Sequence, residues 1–310
     1  MKKIFFLITI IGLFSIACDP KKTNPEPTGP RLIFKFKFDS TQTRLDNLAR
    51  PSSIPVGNSA QSPVFHKMSA HYIELATDSL SPFGLNILYK NSEVSTGGSN
   101  AIDFSKSIIK GEGEEFYSVP LKNLTKQTYK WLRISLAYQD YDVKMAYRTP
   151  TYNSGALFTF NGEVASFLGF NTYVTSYSLK NEIINVNGNL PQGSGAVKPF
   201  NVPFVGTQPA TKWTAGTSTR TTVVNPFETA LGIPANSCIV VGKFTSPITI
   251  TGNETNDIIV TVSLSTNKSF EWLDRNSDGL YEPIDGLNSN APLDSVVDMG
   301  IRGMIPIVTQ

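Results

Sequence analysis

The densest group of chemistry-bearing residues is Asp274-Arg275-Asn276-Ser277-Asp278-Gly279-Leu280-Tyr281-Glu282-Pro283-Ile284-Asp285. Side-chain oxygens fall at positions one, three, five, nine and twelve of this run, and glycine stands at six. Calcium is a hard cation that takes six to eight oxygen ligands, and alternate acidic residues converge on it when the backbone coils around the ion. The expected ligands are the side chains of Asp274, Asn276, Asp278, Glu282 and Asp285 and the backbone carbonyl of Leu280, with Gly279 allowing the sharp turn. A second group is His66-Lys67-Met68-Ser69-Ala70-His71, which holds both histidines of the chain. Imidazole and thioether suit copper, so His66, Met68 and His71 form a candidate copper set. On a straight strand His66 and Met68 share a face and His71 points away, so a bulge or turn near Ser69 is required to unite them.

The acidic run resembles the calcium loop of EF-hands, but its flanks depart from that pattern. Ser269 to Trp272 read as a strand end, Pro283 opposes an exiting helix, and Asp285 stands where a longer, bidentate glutamate is usual. The expectation is an isolated aspartate-rich loop with a structural rather than catalytic role. Elsewhere, Glu112, Glu114 and Glu115 beside Gly111 and Gly113 read as a solvated turn. Asp140 and Asp142 flank Tyr141 with Tyr138 on their own face, as a candidate binding surface or solvated edge charges. Cys238, inside the apolar run Ser237 to Val241, reads as a buried structural thiol. No HExxH, GxSxG, phosphate-binding loop or dinucleotide fingerprint occurs, so an enzyme is not expected. A glycosidase working through paired carboxylates is the weakest reading.

The elements that must position these residues are strands. Leu32, Phe34, Phe36 and Phe38 alternate with Ile33, Lys35 and Lys37, and Tyr129 to Tyr138 and Ile258 to Leu264 behave alike, the period-two signature of strands with one buried face. Asn161-Gly162, between two apolar stretches, predicts a two-residue hairpin turn, and Asn187-Gly188 is a second candidate. No stretch of about twelve residues keeps a helical period. The expected fold is all-β, an antiparallel β-sandwich with long loops, of which 190–222, rich in Gly, Pro, Ser and Thr, is one. A subdivision near residue 150 is open.

The amino terminus addresses the chain. Lys2 and Lys3 precede an apolar run from Ile4 to Ile16, shorter than the about 20 residues of a membrane span and suited to a secretory signal peptide over residues 1–17. Ser15-Ile16-Ala17-Cys18 resembles the lipobox of bacterial lipoproteins, which implies acylation at Cys18 and a membrane partner through the lipid anchor. Residues 18–30 carry Pro20, Pro25, Pro27 and Pro30 and form a semi-extended tether, leaving 31–310 as the folded domain. Outer-membrane localisation in the cell envelope is expected, facing either side. Lys+Arg 27 against Asp+Glu 25 becomes an even balance once Lys2 and Lys3 leave with the signal, and that argues against a nucleic-acid partner.

Three stretches in order, Lys67 to Leu75, Phe116 to Leu124 leading into Tyr129 to Tyr138, and Ile258 to Leu264 followed by Phe270-Glu271-Trp272, are similar to the MbnP-like lipoproteins common in Bacteroidetes. The resemblance implies a lipid-anchored or secreted β protein, with copper binding in some members; no ligand motif is matched. The functional expectation is a lipid-anchored envelope protein that binds a protein or glycan partner and carries a structural calcium loop. A copper-handling protein of MbnP-like type is the alternative, and a carbohydrate-active or carbohydrate-binding protein the third reading.

Overall fold

Leu32, Phe34 and Phe36 are buried while Lys37 is exposed, so the alternation in the first strand places its aromatic face on a core. The computed structural model describes residues 29–46, 49–148, 157–202, 211–213, 230–283 and 294–309. The signal peptide, Cys18, most of the tether and Asp285 lie outside them. In chain order the strands are β1 (Arg31–Asp39), β2 (Asn58–Gln61), β3 (Val64–Ala76), β4 (Ile87–Lys90), β5 (Glu93–Val94), β6 (Ala101–Asp103), β7 (Glu115–Pro120), β8 (Thr128–Arg148) and β9 (Leu157–Phe167). They continue with β10 (Thr172–Leu179), β11 (Glu182–Leu190), β12 (Ser194–Phe200), β13 (Thr211–Trp213), β14 (Cys238–Thr249), β15 (Ile258–Ser265), β16 (Phe270–Leu273), β17 (Ser295–Asp298) and β18 (Met304–Thr309). Only two short 3₁₀ turns, Phe104–Lys106 and Leu121–Asn123, interrupt this all-β pattern among the described residues. No helix among them is long and apolar enough to cross a membrane.

Two sheets form the sandwich. One runs β18-β15-β1-β7, and the other runs β13-β12-β9-β8-β3-β4 with β14 also paired to β8. Leu32, Phe34 and Phe36 of β1 and Val260, Val262 and Leu264 of β15 meet Ile73, Leu132, Ile134, Leu136 and Val240 from the larger sheet in the main core. Small sheets, β11-β10-β6-β5 and β17-β16-β2, cover further surfaces. Most pairings are antiparallel, as expected, but β1 pairs β15 in parallel and β10 pairs β6 in parallel.

The 21-residue β8 is the spine. Its first half pairs with β14 and its second with β9, while β3 runs along its other edge. The pairing of β3 slips at Ser69/Ala70, opposite Tyr138 and Leu136. This irregularity at Ala137 changes the parity of β8. Leu132, Ile134 and Leu136 point into the main core, whereas beyond it Tyr141, Val143 and Met145 take the inward role against Phe270 and Trp272. Tyr138, Asp140 and Asp142 therefore share the opposite face.

The two Asn-Gly pairs are not hairpin turns. Asn161-Gly162 lies within β9, paired to Lys144 and Val143 on one side and to Phe200 and Pro199 on the other. A Cβ on Gly162 would stand 2.6 Å from Met145 Sδ and 2.9 Å from Val197 Cγ2, so glycine is there for close packing between strands. Asn187-Gly188 lies within β11, where the register slips and Asn187 takes φ 52°, which makes it a bulge. The hairpin between β10 and β11 instead turns at Lys180-Asn181, with Leu179 opposite Glu182 and Lys180 at φ 50°. Part of the expected long loop is also strand, since β12 pairs along β9 and buries Ala196. β8 and β9 remain paired up to Arg148 and Leu157, so the chain on both sides of residue 150 shares one sheet.

Candidate metal centres

The acidic loop leaves β16 directly. Asp274 is 7% exposed and its amide donates to the Gly57 carbonyl at 3.1 Å, which ties the loop to the segment leading into β2. Asp274 Oδ2 accepts from the Ser59 hydroxyl at 2.7 Å and from the Gly279 amide at 2.9 Å. Gly279 takes φ 77° and Ser277 φ 58°, left-handed values that fold the chain back over Asp274 and suit glycine at the first of these positions. Asn276 Nδ2 donates to Asp278 Oδ2 at 3.1 Å and to Glu282 Oε2 at 2.7 Å, and the Leu280 amide donates to Asp278 Oδ1 at 2.9 Å. Asp274, Asn276, Asp278, Leu280 and Glu282 thus lie in one coil of backbone.

A carboxylate that the loop spacing does not announce joins them. Asp294 accepts from the Glu282 amide at 2.8 Å and from the Arg275 amide at 3.2 Å, and is 3% exposed. Burial pushes its carboxyl up, the two amides pull it down, and the negative charges of Asp274 and Asp278 push it up again, for a net rise. Burial also pushes Asp274 up, but the Ser59 hydroxyl and the loop amides outweigh it and hold Asp274 below the ordinary carboxylate range. Asp274 Oδ1 is buried without a hydrogen-bond donor.

Beside the loop lies a cleft of about 470 Å³, walled by Gly279, Leu280 and Tyr281 from the loop and by Trp272, Phe160 and Asn161. The Ala146 amide donates to the Tyr281 carbonyl at 2.8 Å, so the loop is fastened to β8. Trp272 Nε1–H is buried with no acceptor.

The structure gives the copper set three different environments. Met68 is fully buried in the main core. His71 is fully buried, stacks on Phe170 with ring centroids 4.9 Å apart, and meets Glu93 Oε1 through Nε2 at 2.9 Å. Its desolvation lowers the imidazole pKa, a direction that Glu93 opposes and Lys90 reinforces. His66 stays half-exposed and meets Asp142 Oδ1 through Nε2 at 3.1 Å. The irregularities that would gather them do occur at Ser69/Ala70 and Ala70/Tyr72, but core packing claims Met68 and the Glu93 pair claims His71, so His66 is not brought together with either.

His66 instead belongs to a polar cluster on the outer face of β8. The pairing of β3 with β8 slips between Phe65 and Lys67, which makes His66 the bulged residue. Asp142 is directly opposite Glu163 of β9. One ligand atom from each of His66, Asp142 and Glu163 lies within 4.8 Å of the others. Around them, Lys67 Nζ stands 3.3 Å from Asp140 Oδ2, and the Tyr138 hydroxyl donates to the same oxygen at 3.2 Å. Asp140 is buried rather than a solvated edge charge, and burial raises its pKa against the pull of Lys67.

The remaining expected groups have plain roles. Glu112 Oε2 accepts from the Phe38 amide and Glu114 Oε2 from the Gly111 amide, so these carboxylates brace a turn. Cys238 is fully buried, and burial pushes its thiol far up. No family model matches the chain, and neither a curated protein nor a solved structure matches it.

Proposed function

We propose that the chain is a lipid-anchored cell-envelope binding protein in which a calcium ion at the Asp274 loop orders one wall of a binding cleft. The observation that carries this reading is Asp274 itself. Its carboxylate is more than nine-tenths buried, one oxygen has no donor, and the acids Asp278, Glu282 and Asp294 surround the same coil. Burying a carboxylate oxygen without a partner is costly, and a hard cation ligated by several oxygens relieves that cost together with the mutual repulsion felt at Asp294. Asp274, Asn276, Asp278, the Leu280 carbonyl, Glu282 and Asp294 supply the ligands on this reading, with Asp285 from the sequence pattern as a further one. On this reading the Asn276 side chain would offer its amide oxygen, not its nitrogen, to the ion.

The role is structural. Extracellular calcium modules bind with Kd of about 10⁻⁴ to 10⁻³ M, and at ten times Kd the ion adds about 1.4 kcal/mol. That suffices to order residues Gly279 to Tyr281, which wall the cleft. Rings and amides in that cleft suit a protein side chain or a sugar, and Cys18 provides the membrane anchor. The test is a calcium titration of the chelator-stripped protein followed by melting temperature. Calcium should raise it, and Asp278→Ala should abolish the rise; an unresponsive parent protein overturns the reading.

A further inference from the structure

We propose that His66, Asp142 and Glu163 form a second metal site, for a zinc-class divalent ion, with at least one coordination position open to solvent. The proposal does not rest on the calcium loop, with which it shares no residue. Three features carry it. The bulge at His66 turns an imidazole toward a neighbouring strand, a known use of bulges at sites. The register of β8 on β9 puts Asp142 and Glu163 side by side, and like charges directly opposite each other on a sheet are destabilising unless a cation joins them. Asp142 Oδ1, the oxygen 3.1 Å from His66 Nε2, is a buried atom that makes no hydrogen bond.

The donor set decides the class of ion. One imidazole nitrogen with two carboxylates suits zinc and its divalent neighbours, and no thioether or thiolate is present to select Cu(I). Three protein ligands leave a tetrahedral ion one position for water or for a group on a partner, and His66 is 37% exposed, so that position faces outward.

Lys180 is the competitor. Its ammonium stands 3.1 Å from Glu163 Oε2 and 3.9 Å from Asp142 Oδ1, and its amide donates to Glu163 Oε1 at 2.9 Å. The side chain is one-third exposed and also lies 3.9 Å above the Phe200 ring. It can swing outward while the amide contact still anchors the turn. A metal must therefore displace one ammonium, and removing that ammonium must tighten metal binding. A cluster whose only role is to hold the β10–β11 turn would not behave this way.

The experiment is isothermal titration of zinc chloride into the chelator-stripped chain with calcium in excess, at fixed neutral pH. The parent should bind one zinc ion. His66→Ala and His66→Gln should each weaken it at least tenfold, and Lys180→Met should tighten it severalfold. The circular dichroism spectrum of each variant reports folding independently of either metal. Absence of saturable zinc binding in the parent overturns the proposal. So does unchanged affinity in both folded His66 variants, or in Lys180→Met.

Discussion

Replacing Asp274 by asparagine separates a metal ligand from a turn anchor. In the parent, Oδ2 accepts from Ser59 and Gly279 while Oδ1 has no donor. Asparagine can present its oxygen to both donors and place its amide where Oδ1 was. In chelator, the variant loses no hydrogen bond and sheds a charge that pushes Asp294 up, so its stability should stay within about 1 kcal/mol of the parent. The calcium increment is a different matter. At ten times Kd it is about 1.4 kcal/mol, or a rise of about 2–3 °C for a domain of this size, and the variant should lose all of it. Differential scanning fluorimetry in chelator and in calcium, on both proteins, measures the four values needed. A calcium rise of equal size in Asp274→Asn would refute the ligand role. A large drop of the variant in chelator, with no calcium rise in the parent, would reduce Asp274 to a turn anchor.

Other expectations concern the frame around the sites. Gly162→Val should cost about 1–3 kcal/mol by overpacking against Met145 and Val197, whereas Gly188→Ala, with nothing nearer than 4.0 Å, should be close to neutral; urea denaturation of both compares a packed strand with a tolerant bulge. Arg133→Leu should cost about 3–5 kcal/mol by stranding Glu74, 2.8 Å away and equally buried, and Glu74→Leu added to it should recover a large part of the loss, as read by the same denaturation. The folded pKa of His71 lies below its ordinary 6.5, so the unfolded chain takes up the proton first. Its contribution is complete above about pH 6.5 and is lost as pH falls through the depressed folded value, at up to about 1.4 kcal/mol per pH unit. His71→Gln should flatten the stability profile between pH 7 and 5.

Strand faces were legible wherever alternation was uninterrupted, as in Leu32-Phe34-Phe36 and Ile258-Val260-Val262-Leu264. What was not legible follows from long-range pairing. An Asn-Gly step has the same local propensity in a turn, a bulge or a crowded strand, and only Met145 and Val197 across the sheet decide that Gly162 is packing. The irregularity at Ala137 depends on β3 and β9, so the change of face between Leu136 and Tyr138 carries no local signal. The polar loop residues Asp274, Asn276, Asp278 and Glu282 could be read because they fall within one short run of sequence; Asp294 could not, since twelve residues separate it from Glu282. The Asp142–Glu163 pair was hidden by the mistaken turn at Asn161-Gly162. Once that step is read as strand, the register of β8 on β9 brings the two acids together.

A calcium-sized ion held in the proposed loop would lie next to aromatic rings. Tyr281 lies within the loop and its ring centroid is 5.6 Å from that of Trp272, so both are placed to sensitise a lanthanide that takes the place of calcium. Terbium added to the chelator-stripped protein, with excitation of the aromatic rings, is the most direct measurement. We expect sensitised green emission that saturates at one ion in the loop, is displaced by calcium, and vanishes in Asp278→Ala. Absence of emission in the parent, or emission that neither calcium nor Asp278→Ala removes, would contradict a calcium site at Asp274.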